Sequence, residues 1–150
     1  MQALNHDEKF YIFGGRTPLP GPPGNSIIHG DGWVSEDKGK TWTNISKGIP
    51  YGAFTRVVRE DTKVKNLLFA GTEQGMYLSK DGGLNWDSFQ LNLPVTPITD
   101  LKVAHDDLIV ATAGRSYWIL DELNAVREVK ASVENVSLYS PEKALLGSWY

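Results

Sequence analysis

The sequence predicts an all-β protein made of recurring four-stranded antiparallel units, and three observations carry that prediction. An octet of the form Ser-x-Asp-x-Gly-x-x-Trp occurs twice, at Ser35 and again at Ser79, 44 positions later. The same succession of short apolar runs surrounds both copies. Helical periodicity is nearly absent, while 15 glycines and 8 prolines are spread along the chain, as frequent turns require.

The copies read Ser35-Glu36-Asp37-Lys38-Gly39-Lys40-Thr41-Trp42 and Ser79-Lys80-Asp81-Gly82-Gly83-Leu84-Asn85-Trp86. Ordinary residue frequencies produce one such octet in roughly one chain of this length in a few thousand, so two in register mark a true repeat. Before the second copy, residues 54–59 alternate and are β-branched, 67–70 are apolar, and Met76-Tyr77-Leu78 leads into Ser79. A short polar strand follows Trp86 and stops at Leu93-Pro94. A third, worn copy supplies strands at 98–104, 108–111 and 117–120, about 41 residues after their counterparts. Its octet has become Leu120-Asp121-Glu122-Leu123, and a single helical turn is expected over 121–126. The first copy has strands at 10–13 and 27–35, separated by a Pro/Gly-rich insertion at 17–25. The resulting boundaries are a first unit at 8–48, a second at 52–92, a third at 96–130 and an exit segment at 131–150.

The octet suits a tight hairpin between the third and fourth strands of a unit. Asp37 and Asp81 can accept backbone N–H groups of the turn, and Ser35 and Ser79 satisfy further donors. Gly39 and Gly83 would supply positive φ. Trp42 and Trp86 are expected to bury their rings beneath the hairpins, contributing about 2–3 kcal/mol each. Calcium seeks six to eight oxygen ligands where each octet offers one firm one, so the octet reads as a structural staple.

At these residues the chain resembles the Asp-box, or bacterial neuraminidase repeat, of sialidases, xyloglucanase-type propellers, photosystem assembly factors and sortilin-type receptors. The resemblance is narrower over residues 67–79, Asn92-Leu93-Pro94 and 107–121, which are similar to the last blades of large sortilin-like proteins often labelled glycosyl hydrolases. Where that family reads Thr-His-Gly-Arg-Gly and then Leu-Asp-Asp, this chain has Thr112-Ala113-Gly114-Arg115-Ser116 and Leu120-Asp121-Glu122. The resemblance implies β-propeller blades, about three four-stranded antiparallel ones forming an incomplete propeller. It also implies an extracytoplasmic or secreted setting and further blades upstream. With two open faces, three blades are expected to need other blades or a second copy to close a ring, and the end at Tyr150 suggests a truncated piece or a shortened gene.

Composition narrows the function. A net charge of -3, with no block of like charges, argues against nucleic acid and anionic membranes as partners. The absence of cysteine excludes disulfides, thiol nucleophiles and cysteine-ligated metals. No cofactor or metal motif is present. Residues 1–9 lack the character of a signal peptide, and no apolar run reaches membrane-spanning length.

Arg115, after a glycine in a turn between apolar strands, and Glu73, in the corresponding turn of the second unit, are the candidate ligand contacts. A sialidase would need three converging arginines; Arg16, Arg56, Arg59 and Arg115 are available, with no signature of convergence. Glycoside hydrolysis needs two carboxylates across a cleft, and nothing elevates a pair among Glu73, Asp100, Asp106 and Asp121. His6, His29 and His105 have neither metal-site nor triad spacing. The run at 17–24 suits polyproline II but reads as a rigid loop, and Asn44 and Asn135 head formal glycosylation sequons. The sequence therefore points to a scaffold that binds a protein, peptide or glycan. The alternative is part of a sialidase-like or xyloglucanase-like glycoside hydrolase whose catalytic residues lie largely on other blades.

Overall fold

The computed structural model describes residues 2–6, 9–22 and 24–129. They form eleven strands and one short helix: β1 (Gln2–His6), β2 (Lys9–Pro18), β3 (Ser26–Ser35), β4 (Thr43–Asn44), β5 (Thr55–Glu60), β6 (Leu68–Thr72), β7 (Gly75–Ser79), β8 (Asp87–Ser88), β9 (Ile98–Ala104), β10 (Asp107–Thr112), β11 (Tyr117–Leu120) and α1 (Asn124–Glu128). Three antiparallel sheets result, in the orders β1-β2-β3-β4, β5-β6-β7-β8 and β11-β10-β9. The chain is all-β, and each sheet is a propeller blade.

Register makes the repeat explicit. Ser35 pairs with Phe10 and Ser79 with Leu68, at the octet end of each hairpin, and Leu120 pairs with Leu108 in the third sheet. Leu120 therefore stands where Ser35 and Ser79 stand. Seven positions on, the place of Trp42 and Trp86 is taken by Arg127.

Packing explains the strand composition. The middle sheet is covered on both sides, so its second strand is apolar without alternation: Leu67 and Phe69 join the core shared with the third sheet, while Leu68 and Ala70 join the core shared with the first. Val57 and Val58 divide in the same way. Ile98, Leu101, Leu108, Val110 and Leu123 complete the core on the third-sheet side. Phe13, Ile45 and Trp86 complete the other.

Three features depart from the sequence reading. A first strand, β1, pairs with β2 from Gln2↔Phe13 to His6↔Lys9, ahead of the expected start of the first unit at residue 8, because backbone pairing needs no apolar pattern in the added strand. The insertion after the first strand run is largely absorbed into an elongated hairpin, with β2 and β3 of ten residues each. Its tip is closed by Leu19 N–H donating to the Asn25 carbonyl at 3.0 Å. Among the described residues the third sheet has three strands rather than four, and α1 follows β11 where a fourth would begin. The exit segment at 131–150, with Asn135, lies outside the described residues. No helix among the described residues is long and apolar enough to cross a membrane.

Candidate functional site

The two octet turns share one geometry. In the first, Ser35 Oγ donates to Asp37 Oδ1 at 2.9 Å, Gly39 N–H donates to Ser35 Oγ at 2.7 Å, and Thr41 N–H donates to Asp37 Oδ1 at 2.8 Å. In the second, the same bonds from Ser79, Gly83 and Asn85 measure 2.8, 2.8 and 2.9 Å. Gly39 and Gly83 sit at φ 88° and 94°, where a side chain would be strained. The other carboxylate oxygen takes a side-chain donor, Thr41 Oγ1 or Asn85 Nδ2, each at 2.7 Å. Those two residues were missed in the sequence because the octet pattern leaves their position free; the signal was that both carry a polar donor.

These bonds hold the carboxylates ionised. The Thr41 hydroxyl, with the Thr41 backbone N–H, brings Asp37 down to about 2. Burial pushes Asp81 up, but the side chain and backbone of Asn85, with Ser79, outweigh it and leave Asp81 below the ordinary carboxylate range. All the firm acceptor capacity is thus spent inside the turn, and among the described residues no cluster of three metal-ligating side chains occurs.

The tryptophans differ, which corrects the expectation that both are buried. Trp86 is 3% exposed and Trp42 is 36% exposed. Trp86 packs on the preceding sheet: its Nε1–H donates to the Ile45 carbonyl at 2.7 Å and its backbone N–H to the Lys47 carbonyl at 2.8 Å. Gly48 makes room, since a Cβ there would stand 1.9 Å from the Trp86 carbonyl oxygen. Trp42 belongs to the first sheet, with no described sheet before it, and its Nε1–H turns back to the Gly39 carbonyl at 3.1 Å. The ring is buried by the neighbouring blade, not by its own hairpin.

The joint between the second and third sheets carries an ionic pin. Arg127 Nη2–H donates to Asp61 Oδ2 at 2.8 Å and Nη1–H to Asp106 Oδ1 at 2.6 Å, with side chains only 7% (Arg127) and 0% (Asp61) exposed. Asp61 follows β5 and Asp106 lies in the β9–β10 turn, so one guanidinium ties α1 to two sheets. Burial raises Asp61, but Arg127 and the Val64 and Lys63 backbone N–H groups outweigh it and hold the carboxyl low. For Arg127, burial is outweighed by the two aspartates and its affinity for the proton rises. Lys63 Nζ, at 2.6 Å, also pairs Asp106.

Arg16, His29, Arg56 and Glu73 lie on the end of the molecule where the β2–β3 and β6–β7 turns meet the connections between sheets. There Glu73 N–H donates to the Phe54 carbonyl at 3.0 Å and, one sheet on, Ala113 N–H to the Pro97 carbonyl at 2.9 Å. A cleft of about 550 Å³ opens there, walled by Phe13, Arg16, His29, Phe54, Arg56 and Glu73. A second, of about 280 Å³, shares His29 and runs to Pro50 and Tyr51. Arg56 is engaged with Glu73, Nε to Oε1 at 2.8 Å. His29 Nε2 lies 2.8 Å from Thr17 Oγ1. The exposed Arg16 guanidinium has no polar partner among the described residues.

The structure therefore gathers Arg16, Arg56, Glu73 and His29 and leaves the other candidates apart. Arg59 bridges to the third sheet, donating to Asp100 Oδ1 at 2.8 Å and the Leu101 carbonyl at 3.0 Å. Arg115 is exposed in the β10–β11 turn outside the cleft, where its carbonyl accepts Trp118 Nε1–H at 2.8 Å. Asp121 is exposed, His105 sits at a hairpin tip, His6 lies in β1, and the Asn44 side chain accepts the Ser46 N–H at 3.1 Å.

The sequence model of the family described as Sortilin, neurotensin receptor 3 (Sortilin-Vps10) matches residues 30–143. No curated protein matches. Among solved structures, a similar one is that of YCF48 bound to D1 peptide, at 18% identity and a TM-score of 0.41. The match covers 62% of this chain and 33% of that one, so this chain spans only 33% of its length.

Proposed function

We propose that this chain, which belongs to the Sortilin-Vps10 family, serves as a propeller scaffold that binds a protein or peptide through the turn-bearing end of its blades. The observation that carries this reading is the pair of clefts that share His29, with Arg16, which has no polar partner among the described residues, in one and the fully exposed Tyr51 ring in the other. Aromatic rings and arginines are the side chains that most often anchor binding interfaces. The elongated β2–β3 hairpin stands beside both clefts and extends the surface available to a partner. A glycan would meet the same groups, and it is the second ligand class of this proposal. An extracytoplasmic or lumenal setting belongs to it as well, by the family's habit.

Three of the four candidate carboxylates, Glu73, Asp100 and Asp106, are engaged with Arg56, Arg59 and the Lys63–Arg127 pair, which favours the scaffold over a hydrolase. Peptide and glycan arrays probed with the full chain test the reading. Ligands retained by the native chain and lost on Arg16→Ala or Tyr51→Ala support it; arrays that stay blank, or ligands indifferent to both substitutions, refute it.

A further inference from the structure

Register sets the direction in which Arg16 points. It pairs with position 28 of β3, and directly paired residues project to the same face of a ribbon. Two and four positions on along that face, Gly30 lies against Phe54, where an added Cβ would stand 3.1 Å from the Phe54 Cα, and Gly32 lies against Phe13 and Ile45. Phe13 and Ile45 belong to the core shared with the second sheet. The Arg16 side of the β2–β3 ribbon is therefore turned toward the second sheet, facing the cleft wall formed by Phe54, Arg56 and Glu73.

The charges on these walls do not balance. Arg56 holds Glu73, with Nε and Nη2 both on Oε1, so that pair is closed on itself. Arg16 has no polar partner among the described residues and leaves the cleft with one positive charge in excess, although the chain as a whole carries -3. Arg59 and Arg127 are spent on Asp100, Asp61 and Asp106, and Arg115 lies outside the cleft. A planar guanidinium suits a carboxylate, to which it donates two parallel N–H bonds. Arg16 also stands partway along the surface. On one side β2 and β3 run on to the tip at Leu19 and Asn25, and on the other the cleft reaches Thr99 of β9. A bound segment thus has wall on both sides of the residue held at Arg16.

We propose that this cleft selects peptide segments carrying an internal acidic residue, whose side-chain carboxylate accepts the Arg16 guanidinium; the inference rests on the cleft being a peptide site. A neutral residue at that point covers Arg16 without a counter-charge, and a lysine brings two like charges together, so both bind less well.

The test displays octapeptides blocked at both ends, with one central position held as Glu, Gln or Lys and the others randomised over uncharged residues, and probes them with the full chain. Retention is expected to favour the Glu set over the Gln set by about fivefold or more and to be weakest for Lys. Arg16→Gln should level the three sets, and Arg16→Glu should reverse their order toward Lys. Both replace an exposed side chain without a polar partner among the described residues and are expected to keep the native unfolding midpoint. Equal retention of the three sets by the native chain, or a Glu preference that survives both variants, overturns the acidic requirement and leaves the peptide site standing. Retention of none of the sets overturns both. A set with Gln at the centre and a free C-terminus, retained as strongly as the blocked Glu set, would assign the carboxylate to the chain end and equally overturn the proposal.

Discussion

Trp86 Nε1–H donates to the Ile45 carbonyl at 2.7 Å, across the boundary between two sheets and 41 residues back along the chain. The ring lies in the core those sheets share. Trp86→Ala is therefore expected to cost about 3–5 kcal/mol in chemical denaturation, as truncation of a buried tryptophan does. Trp42→Ala, on the open face of the first sheet, is expected to cost under about 1 kcal/mol. Equal losses would show that the octet tryptophan stabilises its own hairpin rather than the joint.

Gly48 supplies the other half of that contact. Its φ is 103° and an added Cβ would meet the Trp86 carbonyl. Gly48→Ala should destabilise by more than about 1 kcal/mol, with Gly24→Ala, also at positive φ but with open space around it, as the comparison for backbone strain alone. If the two variants lose the same stability, close approach at the joint contributes nothing.

Acid should act on the octet turns. The folded carboxyls of Asp37, near 2, and of Asp81 and Asp61 lie below their ordinary values, so the stability they contribute is complete above about pH 4 and is lost as pH falls through the folded values. Unfolding free energy followed from pH 5 to pH 2 is expected to fall. The double variant Asp37→Asn, Asp81→Asn should begin lower and fall less steeply; a parallel profile would remove these turns as the source.

Arg127 is the pin of the joint between the second and third sheets. Arg127→Ala leaves Asp61 buried without its cation and is expected to cost about 3–5 kcal/mol. Arg127→Lys should recover little of it, because a single ammonium cannot bridge Asp61 and Asp106 as the planar fork does. Thermal melts of the two variants check this, and a fully restored Lys variant would count against the geometry.

Much of this was legible in the sequence because the octet is a local code: Ser79, Asp81 and Gly83 meet within one turn, and their chemistry follows from spacing alone. The strand runs at 98–104 and 108–111 were readable for a similar reason, since β-branched and apolar alternation reports a half-covered sheet. What escaped was set by partners distant in the chain. Whether a tryptophan is covered depends on the sheet before it, which separates Trp42 from Trp86 despite the shared octet pattern. Arg127, without motif or periodicity to mark it, draws its role from Asp61, 66 positions earlier. Arg16 and Glu73 share a cleft only through the folding of two sheets against each other.

One seam carries an indole and the other a guanidinium between carboxylates, although an apolar core fills both. Urea therefore loosens the two boundaries together, whereas low pH also unlatches the Asp61–Arg127–Asp106 pin. Acid thus has a handle on the last leaf that a neutral denaturant lacks.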